Sequence, residues 1–231
     1  MNSRRLLSAL ALAAGFGLSS ACFADITGTV KFEGEAPEPA QIDMSAVKEC
    51  AAQHPDGAFD ESLVAADGKL ANVVVSVKAD NLQGEVPKEA AVLDQKGCQY
   101  LPHVLPVMVG QKIVIKNSDT FLHNVNGKPN ENVPFNIAQP NVAETPIEPL
   151  KTPEAFRVKC DVHPWMSAYI VGVENPYFAT SGDDGTFTIN GKLPPGEYTL
   201  RAWHERLGTQ EIPVKVEAGT PAEVQVKFAA P

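Results

Sequence analysis

Residues 158–172 read VKCDVHPWMSAYIVG. Cys160, His163 and Met166 stand at three-residue intervals, and an apolar, β-branched and aromatic run at 168–173 follows at once. The preceding run, 155–159, also has strand character, so the three side chains fall on a tight turn between two strands. Pro164, whose ring fixes φ, stiffens that turn beside His163. A thiolate, an imidazole and a thioether are soft or borderline ligands, a mix that suits copper. Zinc takes thiolate and imidazole readily but rarely a thioether. A trigonal copper site of two imidazoles and one thiolate, with a weak axial Met, needs one more imidazole. His123, in NSDTFLHNVNG, lies 37 residues before Cys160 and follows the strand-like run 112–116. Two adjacent loops can therefore close one site. The plainer alternative makes Cys160 half of a disulfide, His163 a surface residue and Met166 part of the core. Cys, His and Met number only 4, 5 and 4 in the 231-residue chain. That scarcity favours the metal reading of their regular spacing.

Working outward, the chain reads as all-β. Short runs rich in Val, Ile, Thr, Phe and Tyr alternate with Gly, Pro, Asn and Asp punctuation. The expected strands are 27–32, 72–78, 91–93, 104–107, 112–116, 155–159 and 167–173, then 186–189, 197–203, 211–216 and 223–228. The best helix signal is 45–53, with Ser45 as its cap. Residues 117–153 read as a long Asn- and Pro-rich loop with little strand pattern, the kind of segment that is often functional. After Asn175-Pro176 the character changes to TSGDDGTFTINGKLPPGEYTLRAW, with two turn signals between strands. The expected division is 1–24, 25–174 and 175–231.

Arg4 and Arg5, the apolar run 6–18 and the small residues of Ala21-Cys22-Phe23-Ala24 form a secretory signal pattern. The run is short for a membrane span. Periplasmic or secreted localisation is expected, with a lipid anchor at Cys22 as the lesser alternative. The chain carries 19 Lys+Arg and 28 Asp+Glu; without Arg4 and Arg5, 17 − 28 leaves a charge of −11. This acidic balance argues against nucleic acid or anionic membrane partners and allows steering toward a basic one. Cleavage leaves Cys50, Cys98 and Cys160, an odd number in an oxidising compartment. If Cys160 binds metal, Cys50 and Cys98 are left to pair. Otherwise Cys160 bridges to one of them and the other is left over.

The run VGQKIVIKNSDTFLHNVNG … AFRVKCDVHPWMSAYIVGV resembles the cupredoxins, the small blue-copper sandwiches, with a C-x-x-H-x-x-M loop of the short, amicyanin-like kind rather than the plastocyanin-like one. The resemblance implies a Greek-key β-sandwich holding one copper ion. It assigns His123, Cys160 and His163 as equatorial ligands and Met166 as the axial one. It also implies that Asn124 links the two ligand loops, and that electrons cross the His163 edge with Pro164 and Trp165 as the docking contact. The tail resembles a transthyretin-like (prealbumin-like), carboxypeptidase regulatory-like sandwich. Secreted bacterial proteins joining the two pieces often carry a "methylamine utilization" label. Residues 25–88 have no clear counterpart in a minimal cupredoxin: they supply either its first strands, or early strands of the tail sandwich with the copper domain inserted. His103 is either an extra ligand or a hydrogen-bonding neighbour. His54 reads as solvated, and His204 as a surface or interdomain residue.

The function this implies is one-electron transfer with a redox protein, a c-type cytochrome or a dehydrogenase. A periplasmic copper carrier or sensor is the second reading. A carbohydrate- or protein-binding tail sandwich is the third, although Tyr198 and Trp203 there do not make an aromatic platform. No nucleophile triad or paired-carboxylate motif points to an enzyme.

Overall fold

The computed structural model describes residues 23–78, 82 and 84–230. The reading of a lipid anchor at Cys22 lies outside them, as does that of an export signal over 1–24 except for Phe23 and Ala24. Among the described residues, no helix is long and apolar enough to cross a membrane.

The protein is all-β. The first strands are β1 (Ala24–Glu33), β2 (Gln41–Ile42), β3 (Ala58–Phe59), β4 (Ala65–Ala66), β5 (Lys69–Leu70) and β6 (Val74–Lys78), with the helix α1 (Lys48–Gln53) between β2 and β3. Then come β7 (Ala91–Lys96), β8 (Gln99–Leu101), β9 (Val104–Met108), β10 (Ile113–Asn117), β11 (His123–Gly127), β12 (Phe135–Gln139), β13 (Ala143–Ile147), β14 (Ala155–Lys159) and β15 (Ser167–Val173). The last are β16 (Phe178–Thr180), β17 (Thr186–Leu193), β18 (Gly196–His204), β19 (Gly208–Val216) and β20 (Ala222–Ala229).

One sandwich stacks the sheet β13-β10-β7-β8 on the sheet β12-β11-β14-β15-β9. Its core holds Leu93, Ile113, Ile115, Val125, Val158 and Ile170, together with Cys160 and Met166. The other sandwich stacks β17-β1-β5-β4, with β20 also paired to β1, on β16-β6-β18-β19. β1 runs antiparallel to β17 and parallel to β20, and β6 pairs with β16 and β18. β1 and β6, both before Glu174, thus bond β17, β20, β16 and β18, all after it. Long-range pairing of this kind leaves no local mark in the sequence.

Strand periodicity explains how the two sandwiches meet. Side chains alternate faces along a strand. In β9, Leu105 and Val107 enter the first core while Val104 and Met108 face outward; in β6, Val75 and Val77 enter the second core while Val74 faces outward. The outward residues join Val171, Val173, Tyr169 and Trp203 in a third apolar cluster. Beside it, His103 pairs through Nε2 with the Glu205 carboxylate, and its Nδ1 lies 3.9 Å from Glu61.

Residues 117–153, expected as a loop, instead carry β11, β12 and β13. Their polar side chains hid the pattern. β11 reads HNVNG and is buried throughout, and its two side-chain amides donate to Asn136 and Asp161. α1 starts at Lys48 with Val47 at its N-cap and no side-chain cap; the Ser45 N–H instead bonds Asp43. The segment from β2 to β3 is fastened to the β7–β8 turn by a Cys50–Cys98 disulfide spanning 48 residues.

His103 and His204 titrate on opposite arms of the stability curve. Burial alone would push His103 down, but the hydrogen bond and charge of Glu205, with Glu61 and Asp60, hold it above its ordinary 6.5. Its stabilisation is present in full below pH 6.5 and is lost as pH rises through the folded-state value. Burial, with the charges of His103 and Arg206, pushes His204 down to about 4, so it costs stability as pH falls from 6.5 toward 4. Denaturant unfolding across pH should show both arms, and Glu205→Gln should shrink the alkaline one. Cys50→Ser with Cys98→Ser should cost about 4 kcal/mol, the loop-closure value for a loop of this length, read from the same unfolding curves.

Candidate metal centre

Asn117, the last residue of β10, organises the first ligand loop. Its side-chain N–H groups donate to the carbonyls of Phe121, Gln139 and Asn141 at 3.0–3.1 Å, and its Oδ1 accepts the Asp119 N–H at 3.0 Å. This folds Asp119 inward. Asp119 Oδ1 accepts the Gly97 N–H and Oδ2 the Cys98 N–H, both at 3.0 Å. Oδ2 also accepts from His123 Nε2 at 2.8 Å. Burial would raise the Asp119 carboxyl, but those N–H donors and His123 hold it below the usual carboxylate range. With Nε2–H committed to this carboxylate, His123 presents the Nδ1 lone pair to the site. This is the carboxylate–histidine arrangement that fixes a metal ligand's tautomer and orientation.

The second loop leaves β14 at Lys159. The Cys160 N–H donates to Met166 O at 3.1 Å and the Met166 N–H to His163 O at 3.0 Å, closing a compact turn. Cys160 Sγ accepts the N–H groups of Val162 at 3.4 Å and His163 at 3.3 Å. Asn124 spans the loops: its Oδ1 accepts the Asp161 N–H at 3.2 Å, and its Nδ2 donates to Asn136 Oδ1 at 2.6 Å.

The donors converge. His123 Nδ1 lies 3.0 Å from His163 Nδ1, which lies 3.8 Å from Cys160 Sγ, and ligand atoms of the three residues are all within 4.8 Å of one another. His123, Cys160 and His163 are 0%, 2% and 3% exposed. Burial first, then the neighbouring His123, holds His163 below its ordinary value, which favours a ring with a lone pair to offer. Two such nitrogens facing at 3.0 Å repel unless a proton or a cation lies between them. The donor set thus fits a soft cation. The Phe121 ring packs 5.1 Å from the His123 ring and 6.4 Å from the His163 ring, keeping water off both.

Met166, 1% exposed, sits in the same core as Cys160. His103 stands apart: it is absent from the converging group and bonded to Glu205 of the other sandwich. His103 and Met166 nevertheless both line a cavity of about 230 Å³. Pro164 is exposed, whereas Trp165 is half-buried and donates its indole N–H to Cys98 O at 3.1 Å. His54, expected as solvated, bonds Gly97 O at 2.6 Å. His204 is buried, with Nδ1 accepting the Arg206 N–H. The Tyr198 hydroxyl donates to Pro194 O, and Trp203 packs on Tyr169.

Sequence reading missed Asp119 and Phe121. An acid four residues before a histidine signals a pair on a helix, but on an expected loop it says nothing. The fold defines an all-β protein of two sandwiches, and the site a buried Cys-His-His donor set in one of them. No protein-family model and no curated protein matches the chain. Solved structures similar to it include a purple cupredoxin from Nitrosopumilus maritimus, 17% identical over 36% of this chain and 99% of that one, with a TM-score of 0.31. An amicyanin from Paracoccus versutus is 18% identical over 43% of this chain and 97% of that one, with a TM-score of 0.33. A copper-containing nitrite reductase from Thermus scotoductus is 17% identical, with a TM-score of 0.35; the match covers 63% of this chain and only 28% of the reductase.

Asp119→Asn should weaken metal retention roughly 10- to 100-fold, read by competition with a chelator. An amide offers one acceptor oxygen where the carboxylate serves three donors.

Proposed function

We propose that this protein holds one copper ion through His123 Nδ1, Cys160 Sγ and His163 Nδ1, with Met166 as a weak fourth donor, and carries single electrons between redox proteins. The observation that supports this most is the convergence of one thiol and two imidazoles, all buried, within 4.8 Å. Copper held there supplies one-electron chemistry between its cupric and cuprous forms. The chain's residues do the rest. Asp119 fixes His123, and the N–H groups of Val162 and His163 withdraw charge from the Cys160 sulfur, which tunes a potential. Asn117 and Asn124 hold the two loops at one spacing, so little moves when charge changes. Burial of every donor leaves little room for a substrate, which favours a carrier over an enzyme.

The acidic balance, 28 acids against 19 bases, favours a basic partner such as a c-type cytochrome or a dehydrogenase. The Cys50–Cys98 disulfide favours an oxidising compartment, hence the periplasm or the exterior. A copper carrier or sensor is the second reading, since the thiolate and thioether also suit cuprous ion. Slow electron exchange combined with fast metal hand-off to an acceptor would favour it.

Cupric titration of the metal-free protein should saturate at one equivalent with an intense visible sulfur-to-copper absorption. Cys160→Ser should bind without that band, and Met166→Ala should keep it and shift the potential. A colourless one-equivalent complex with a free Cys160 thiol would overturn the reading.

A further inference from the structure

Against the candidate centre lies a group of soft donors that the proposed function leaves unused. The Sγ atoms of Cys50 and Cys98 and a ring nitrogen of His163 lie within 4.8 Å of one another. Cys98 Sγ is also within 4.8 Å of an Asp119 oxygen and a His123 nitrogen. The disulfide therefore borders both imidazoles of the donor set. Sulfur is concentrated here beyond the needs of one ion. Met44, Cys50, Cys98, Cys160 and Met166 pack in one core cluster, and Met108 is the one other Cys or Met among the described residues.

We propose that Cys50 and Cys98, once reduced, form with His163 a second site, selective for cuprous ion, beside the first. This rests on the reading of His123, Cys160 and His163 as a metal centre. The reductant is a dithiol. One of its thiolates attacks a sulfur of the Cys50–Cys98 bond to give a mixed disulfide, and its second thiol displaces the protein sulfur. Two electrons and two protons pass to the protein, leaving two protein thiols and an oxidised, disulfide-bonded reductant. A cuprous ion then displaces the two thiol protons and binds the thiolates, the donor type that selects that ion. His163 serves both ions by giving up its ring N–H proton to solvent as the second ion binds: the resulting imidazolate has a lone pair on each nitrogen, and Nδ1 is turned toward His123 and Cys160.

The local fold permits the step. Both sulfurs are 0% exposed, so attack requires the segment carrying Cys50 to lift. That segment is α1, six residues long with no side-chain cap, and a helix so short has little stability of its own. Oxidised, the chain is a one-ion electron carrier; reduced, it takes up an additional ion. The dithiol state of its surroundings then sets how much copper it holds.

The test uses the full chain without oxygen. Thiols are counted in denaturant, and cuprous ion is titrated against a chromophoric chelator, before and after treatment with a small dithiol that is then removed. Treatment should add two thiols and raise the cuprous capacity from one ion to two. Cys50→Ser should stay at one ion after the same treatment. Should that variant fail to fold, X-ray absorption of the doubly loaded native chain should show more copper–sulfur ligation per ion than the oxidised chain. No gain in thiols, or a gain of two thiols with unchanged capacity, overturns the proposal. Failure of the oxidised chain to take the first ion, or its retention in Cys160→Ser with unchanged affinity, instead counts against the centre itself.

Discussion

The Asp119 carboxylate is the constraint on which the site depends. Its Oδ1 takes the Gly97 N–H, and its Oδ2 takes the Cys98 N–H and His123 Nε2 together. Gly97 and Cys98 form the two-residue β7–β8 turn, and both have positive φ, 63° and 56°. That backbone suits the twist of a two-residue hairpin, but it is uncommon for a residue with a side chain. Cys98 is held in it by the carboxylate and by its disulfide. The same turn receives His54 at Gly97 O and Trp165 at Cys98 O. One two-residue turn thus ties together α1, the ligand loop and the His123 imidazole.

This arrangement explains why the donors are so dry. In the sequence reading, the His163 edge faces a partner. In the structure, His163 is 3% exposed, with Phe121, Trp165 and the disulfide around it. A low-dielectric shell with fixed N–H donors around the sulfur suits a centre that changes charge without changing shape. The burial of Tyr100 serves the same end: its phenol is pushed up and stays protonated, donating to Asn124 O at 2.5 Å.

How much of this was legible depended on whether the signal was local. The spacing of Cys160, His163 and Met166 is a local property of one turn, and the strands on either side, β14 and β15, are marked by their apolar and β-branched residues. β9 and β15 read as strands even though both faces are covered, because both faces are apolar. β11 did not read as a strand because its buried side chains are mostly His and Asn, satisfied by Asp119, Asp161 and Asn136 rather than by apolar neighbours. The pairing of β1 with β20 joins residues nearly two hundred positions apart, and nothing in either segment names the other. Asp119 belongs with these: its role exists only once Gly97, Cys98 and His123 are brought together.

The central claim, that a thiolate and two imidazoles converge on one soft ion, is tested most directly by X-ray absorption at the copper edge on the oxidised, singly loaded protein. The account predicts a copper shell of one sulfur at short distance and two imidazole nitrogens, with the sulfur lost in Cys160→Ser. A shell of oxygen and nitrogen alone, unchanged by that substitution, would contradict it.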